Sequence, residues 1–307
     1  MSGVRFARFL TSLVPALLLL ALSFGIVILV GSRLGGLTGL LLGILAAGCI
    51  ALGLLLAYWN VVDWSNLRVI RRTKSSGPAD WLDGAVVAVD GFVRADDEPL
   101  SSPFTGIPCA ALTYVVSGHR HSSTRQGSRR VLMAQGYHLI KSHIDRAGQR
   151  LRLCAFPGFS DELRRVENGG TWGHQALQLI ADPDGEASHG REGQILSGLL
   201  QARHSITEEI RCDYVTGFTA TRPDGLTVVE EVLPVDREVC IIGTYDRQLG
   251  GLSARRPRIG PNLIAYAGTA DEVLARVGKE LATFTRAALV LAGIGLAIVA
   301  YALVRPA

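Results

Sequence analysis

The residues of this 307-residue chain that could do chemistry are its close histidines, its cysteines and its paired carboxylates. His119-Arg120-His121 is the one close histidine pair. Residues two apart on a strand share a face, so the two imidazoles could share a metal. Arg120, Arg125, Arg129 and Arg130 surround them, however, and that much positive charge disfavours a cation, so no metal is expected there. Of the five cysteines, Cys49 lies in an apolar run, while Cys109, Cys154, Cys212 and Cys240 are widely separated with no C-x-x-C pair. The clustered ligand spacing of a zinc site is therefore absent. An even number permits disulfides, yet positions in or beside predicted strands suit buried free thiols. Glu208-Glu209 and Glu230-Glu231 are adjacent pairs, which project oppositely on a strand and cannot act as a dyad; they read as solvated strand edges. No phosphate-cradling glycine loop, dinucleotide fingerprint, nucleophile elbow or zinc-protease helix motif occurs. No catalytic residue and no cofactor is expected.

The most unusual local composition is Ser117 to Arg130, with four arginines, two histidines and no acid. Small polar residues between the charges predict an exposed hairpin loop between strands ending at Val116 and beginning at Val131. Arginine makes bidentate contacts with phosphate or carboxylate. His119, Arg120, His121, Arg125, Arg129 and Arg130 are thus a candidate edge for an anionic ligand or an acidic partner, alongside the plainer reading of a solvated loop. Nucleic acid is disfavoured, because no wider basic face and no aromatic platform accompanies the loop.

The elements that must position these residues divide sharply by composition. All 27 acidic residues lie between Asp63 and Glu280, so the central region is neutral and the net charge of +4 comes from Arg5, Arg8, Arg33 and Arg305. A spanning helix needs about 20 consecutive apolar residues. Leu10–Gly31, Gly35–Trp59 and Ala287–Val304 each carry no charge and read as three transmembrane helices, the first as an uncleaved anchor. The first two are joined so closely that they must form a tight hairpin. Gly35, Gly39, Gly43, Ala47 and Ala51 make a small-residue stripe that permits close helix packing, either within the chain or between copies in a homo-oligomer. Lysine and arginine near the helix ends favour one side: Arg5, Arg8, Arg68, Arg71, Arg72, Lys74, Arg276, Lys279 and Arg286 against Arg33 and Arg305. The positive-inside rule then puts the N-terminus and the central domain in the cytoplasm and the C-terminus outside. Arginine outnumbers lysine 28 to 3, which reads as a GC-rich, bacterial coding bias and so as a bacterial inner membrane.

Residues 60–268 switch to short β-branched runs separated by turn signals. Ala85–Val93, Ala111–Val116, Val131–Ile140, Leu151–Ala155, Glu209–Ala220, Thr227–Val232 and Val239–Tyr245 predict a mostly antiparallel β domain, barrel or sandwich. Ala147-Gly148 and Asp224-Gly225 predict turns, and Arg191–Arg203 an internal helix. Thr269 to Glu272 has the form of a capping box. It predicts a juxtamembrane amphipathic helix over 269–286 running unbroken into the last span, some 50 Å in all.

One stretch is distinctive: Pro99-Leu100-Ser101-Ser102-Pro103-Phe104-Thr105-Gly106-Ile107-Pro108-Cys109, followed by a strand bearing Tyr114. Three prolines fix φ and Gly106 permits a turn that other residues resist, so the segment is a rigid connection, a structural turn or a binding site. It resembles the core motif of the GIDE or MULAN-type family, whose soluble part is called the "beside a membrane" domain. Asp145 and Gly148 resemble that family's D-x-x-G turn, and Glu231-Val232-Leu233-Pro234 with Gly243 resembles its E-x-x-L-P and following glycine block. Asp236 stands where the pattern often has glycine, or one residue beyond it. Eukaryotic members are RING-type ubiquitin ligases. The resemblance implies ligase kinship only, because Arg305, Pro306 and Ala307 are all that follow Val304 and no RING ligands are present. The function expected is a membrane-anchored, non-enzymatic sensor or scaffold that meets the lipid bilayer and an unknown protein or anionic ligand. A ligase-family protein and a structural subunit of a membrane assembly are the alternatives.

Overall fold

The computed structural model describes residues 22–121, 128–181, 209–215, 225–254 and 263–304. The helix expected over Arg191–Arg203, residues 10–21 of the first apolar segment, and Arg125 and Asp224 lie outside them. The chain divides into two compact units, one of Met1–Ser65 with Arg276–Ala307, the other Asn66–Ala275. Helices are described at α1 (Leu22–Leu34), α2 (Gly36–Thr73), α3 (Gly170–Ala181) and α4 (Ala270–Val304). Among the described residues, two stretches are long and apolar enough to cross a bilayer, Gly36–Ala57 and Ala270–Val304, and α1 is a shorter apolar helix.

In the first unit, α1 turns into α2 through Gly35 and Gly36, both at left-handed φ (+66° and +59°). That conformation costs glycine little and other residues more. Two glycines of the small-residue stripe, Gly39 and Gly43, lie close to the backbone of α1. A Cβ on Gly43 would lie 3.0 Å from the Val27 carbonyl oxygen, and one on Gly39 3.2 Å from that of Gly31. A Cβ on Gly53 would come within 2.9 Å of the Ala288 carbonyl oxygen, and one on Gly295 within 2.8 Å of that of Ala46. Backbones meet where side chains are absent, as close helix packing requires.

Helix α2 continues to Thr73, into what composition assigned to the β domain. No glycine or proline interrupts residues 60–73, and Leu67 and Ile70, three apart on one face, are buried. The helix stops only at Ser75-Ser76-Gly77-Pro78. Its end is tied down by Thr73, whose hydroxyl accepts from the Ala88 amide at 2.9 Å. At α4 the capping box is present: the Glu272 amide donates to Thr269 Oγ1 at 3.2 Å and the Thr269 amide to Glu272 Oε2 at 3.0 Å. The helix then runs unbroken to Val304.

The second unit is β-rich. Its strands are β1 (Val86–Ala95), β2 (Leu100–Ser101), β3 (Pro108–His121), β4 (Ser128–Leu139), β5 (Ser142–Arg146), β6 (Gln149–Leu153), β7 (Gly158–Phe159), β8 (Arg164–Asn168), β9 (Ile210–Val215), β10 (Leu226–Pro234), β11 (Glu238–Asp246), β12 (Gly251–Ser253) and β13 (Ile264–Ala267). Five of them, in the order β1-β5-β6-β12-β11, close a barrel when β11 returns to β1. Closure removes the free edges that an open sheet would leave. Strand β11 has two neighbours along its far edge: β13 opposite Val239–Ile242, then β12 opposite Thr244–Asp246. It is buried from Val239 to Asp246, so it reads as a continuous apolar run rather than an alternation. The other sheet has the order β8-β10-β3-β4-β9, with β2 on β3. One cluster of buried apolar side chains, including Val89, Ile144, Leu252, Leu112 and Leu233, runs through both.

Candidate functional site

The family-like motif folds into a loop seated on one carboxylate. Ser102 donates its amide to the Ile107 carbonyl at 3.1 Å and receives the Gly106 amide at 3.0 Å, with Gly106 at φ +66°. Leu100, Ser102, Phe104 and Cys109 point inward and are buried, while Pro99, Pro103 and Pro108 stay exposed. Beneath the loop lies Glu230, fully buried. Its Oε1 accepts the Phe104 amide and its Oε2 the Thr105 amide, both at 3.2 Å. Among the described residues no cation pairs with it, so two peptide dipoles are what stabilises this buried charge. Reading Glu230 as a solvated edge was wrong. Of the adjacent pair, Glu230 faces the loop and Glu231 faces the other way, half-buried beside Arg164. Burial pushes the Glu231 carboxyl up, with Asp161 adding to it and Arg164 opposing.

A polar row crosses the sheet at this level. Register puts Glu230 opposite Tyr114, Tyr114 opposite Gly136, and Gly136 opposite Asp213. Gly136 leaves the space that the Tyr114 ring fills, and a Cβ there would collide with that ring. The Tyr114 hydroxyl thereby reaches across β4 to donate to Asp213 Oδ1, which also bonds His138 Nε2 at 2.8 Å. Burial raises the Asp213 carboxyl, but the hydrogen bond and charge of His138 and the Tyr114 hydroxyl outweigh it, and the net shift is downward. Phe104 stands edge-on to Tyr114 at 5.6 Å and meets Trp172 of α3 at 5.9 Å. The row joins two carboxylates, a tyrosine and a histidine, yet its contacts tie four strands and a loop together. A second histidine–acid pair, His143 Nδ1 to Asp96 Oδ1 at 2.6 Å, fastens β5 to the segment after β1.

Further along the same face of β10, Val232 and Pro234 line a cleft of about 300 Å³ between the two sheets. Ile107 of the motif loop, Leu163 and Val239 complete its apolar wall, and Glu162, Arg165, Arg237 and Glu238 are its charged residues. Nothing in the sequence pattern pointed to this cleft, because its walls come from five separate segments.

The remaining residues named from sequence fall in three places. Strands β3 and β4 run further than expected, so the basic loop is shorter. His119 pairs with Arg130, Arg120 with Arg129 and His121 with Ser128. Among the described residues, β10 pairs with β3 as far as Gly118 and β9 with β4 as far as Ala134. Asp145 Oδ1 accepts the Gly148 amide at 3.2 Å in the β5–β6 hairpin, whose Ala147 and Gly148 both have positive φ, as a two-residue turn of primed type needs. Leu233 is buried, Gly243 sits where a Cβ would strike Leu263, and Asp236 adopts φ +57°, the conformation glycine takes most easily. Burial pushes the thiols of Cys109 and Cys240 up to about 12 and that of Cys154 to about 11, with Glu230, Asp90 and Asp246 adding to the respective shifts. All three are free and buried. Comparison with known family models, characterised proteins and solved structures finds no match to this chain.

Proposed function

We propose that the protein is a membrane-anchored, non-enzymatic binding module whose β domain meets an anionic ligand or acidic partner through the β3–β4 ribbon. The observation that carries this reading is the register that sets Arg120 opposite Arg129 and His119 opposite Arg130 where β3 and β4 lead into the basic loop. Like charges directly opposite destabilise a strand pair, and no acid lies between Ser117 and Arg130 to offset them. An anion on the ribbon would relieve that repulsion. The two apolar helices support membrane attachment. The excess of arginine and lysine beside the β domain supports its placement, with the N-terminus, on the cytoplasmic side of a bacterial inner membrane.

The test uses the full chain in detergent with vesicles of phosphatidylglycerol or of phosphatidylcholine, beside R120Q/R125Q/R129Q/R130Q. Each basic residue near an anionic surface is worth about 1 kcal/mol, so the quadruple variant should lose binding to the anionic vesicles by two to three orders of magnitude. Added salt should weaken the unaltered chain. Equal binding by both proteins in low salt refutes the reading.

A further inference from the structure

Strand β8 stands at the end of its sheet. It pairs with β10, and among the described residues no strand lies along its other edge. That edge is accessible: Arg164, Arg165 and Asn168 are exposed, and Val166 between them is 55% exposed. Its backbone is set to pair. The Gly169 amide bonds the Leu226 carbonyl at 2.8 Å. Bonding alternates along an antiparallel ladder, so Arg165 and Glu167 direct their backbone groups to β10, while Val166 and Asn168 direct theirs outward. The Arg164 amide bonds the Asp161 carbonyl, which leaves the Arg164 carbonyl on the outer edge. Such an edge is a template for another strand.

The side chains decide which strand fits. Strand β8 reads Arg164-Arg165-Val166-Glu167-Asn168, with opposite charges on the two sides of Val166. Against a second β8, antiparallel and centred on Val166, each Arg165 faces Glu167 of the other copy. The two Val166 side chains meet, and Arg164 lies opposite Asn168. Opposite charges directly across a strand pair stabilise it and like charges destabilise it. Moving the centre by one residue sets Arg165 against Arg165, or Glu167 against Glu167, so charge selects a single register. Glu167 is held ready for this contact: its Oε1 accepts the Trp172 amide at 3.3 Å, and a carboxylate accepts at both oxygens.

We propose that β8 pairs with β8 of a second copy of this chain, antiparallel and centred on Val166, to make one sheet continuous across a two-fold axis. The Val166 amides and carbonyls bond reciprocally, and each Asn168 amide reaches the Arg164 carbonyl of the other copy. The contact uses neither the basic ribbon nor an anion bound there. So short an edge binds weakly alone, and confining both copies to one bilayer raises their effective concentration. The test therefore uses the full chain in phosphatidylcholine vesicles, with copper phenanthroline as oxidant and the unaltered chain as background. Facing residues of a bonded pair have Cα atoms about 5.5 Å apart, within the range of a disulfide. V166C should therefore form a covalent dimer, and R164C, four residues out of register with itself, should do so at least tenfold more slowly. Adding R165E to V166C, or E167R to V166C, should slow cross-linking at least tenfold, because each sets like charges opposite one another. Mixing those two double variants in the same vesicles should restore the V166C rate to within about twofold, since every reversed charge then faces an opposite one. That recovery separates recognition from misfolding. V166C cross-linking no faster than R164C, a rate undiminished by R165E, or no recovery in the mixture overturns the proposal.

Discussion

Replacing Glu230 tests whether the motif loop is held by a buried carboxylate. In E230A the Phe104 amide loses its acceptor inside the protein, whereas the Thr105 amide retains Ser102 Oγ at 3.1 Å. An orphaned buried donor costs about 1–3 kcal/mol, and each lost bond to a charged acceptor about 1.5–3 kcal/mol. The vacated space adds a cavity, while release of a desolvated charge works the other way. A net loss of about 3 kcal/mol is expected. In E230Q one amide oxygen can still serve Phe104, and the new NH2 group faces a donor that has another partner, so the loss should be nearer 1 kcal/mol. At about 2–4 °C per kcal/mol for a domain of this size, E230A should melt about 6–12 °C lower and E230Q about 2–4 °C lower. Tryptophan fluorescence is the readout, since Trp172 packs on Phe104. Amide exchange should speed up at Phe104 before it does elsewhere. An E230A protein that melts within 2 °C of the parent, or a glutamine variant worse than alanine, refutes the account of the loop.

Gly136→Ala should cost about 1–3 kcal/mol by overpacking, because its methyl enters the space of the Tyr114 ring; an unchanged thermal midpoint would show that the ring has room to move. The lowered Asp213 carboxyl gives a signed pH dependence. Its bonded anion adds stability above the unfolded value of about 3.9, and that contribution fades as pH falls through the lower folded value. D213N should therefore destabilise the protein at pH 7 and flatten its stability profile below pH 4, and a profile parallel to the parent's would count against the Tyr114–Asp213–His138 cluster. With thiols at about 11 to 12, Cys109, Cys154 and Cys240 should escape iodoacetamide at pH 8 in the folded protein and react once it is denatured, as peptide mass spectrometry would show.

What was legible in the sequence was whatever repeats with a short period. Ala85–Val93, Thr227–Val232 and Val239–Tyr245 alternate or run apolar, and each proved to be a strand to within a residue or two. The capping box announced α4 through two local hydrogen bonds, and Ala147-Gly148 announced a hairpin. Missed strands were short or polar: β8 reads Arg-Arg-Val-Glu-Asn, and β12 and β13 have three and four residues. Helix α3 begins at Gly170, and the carboxylate that accepts the Trp172 amide at 3.3 Å belongs to Glu167, three residues upstream, so no start signal showed. Trp172, Ala176 and Leu179 do fall at helical spacing there and could have revealed it. Glu230 was misread because burial is a property of what lies on top of a residue. Adjacency to Glu231 says only that one of the two must face inward.

The closing seam of the barrel has a kinetic consequence. Val86 pairs with Thr244, across nearly the whole length of the domain, and the entire second sheet is encoded between them. Loop-closure entropy makes such a seam slow to form. On the ribosome, the β3–β4 and β5–β6 hairpins can assemble from neighbouring segments, but β1 waits with an unfilled edge until β11 emerges. A nascent chain halted between Leu153 and Glu238 therefore carries both hairpins and no barrel. The order of synthesis favours the six-stranded sheet as the earlier structure, with the barrel locking last.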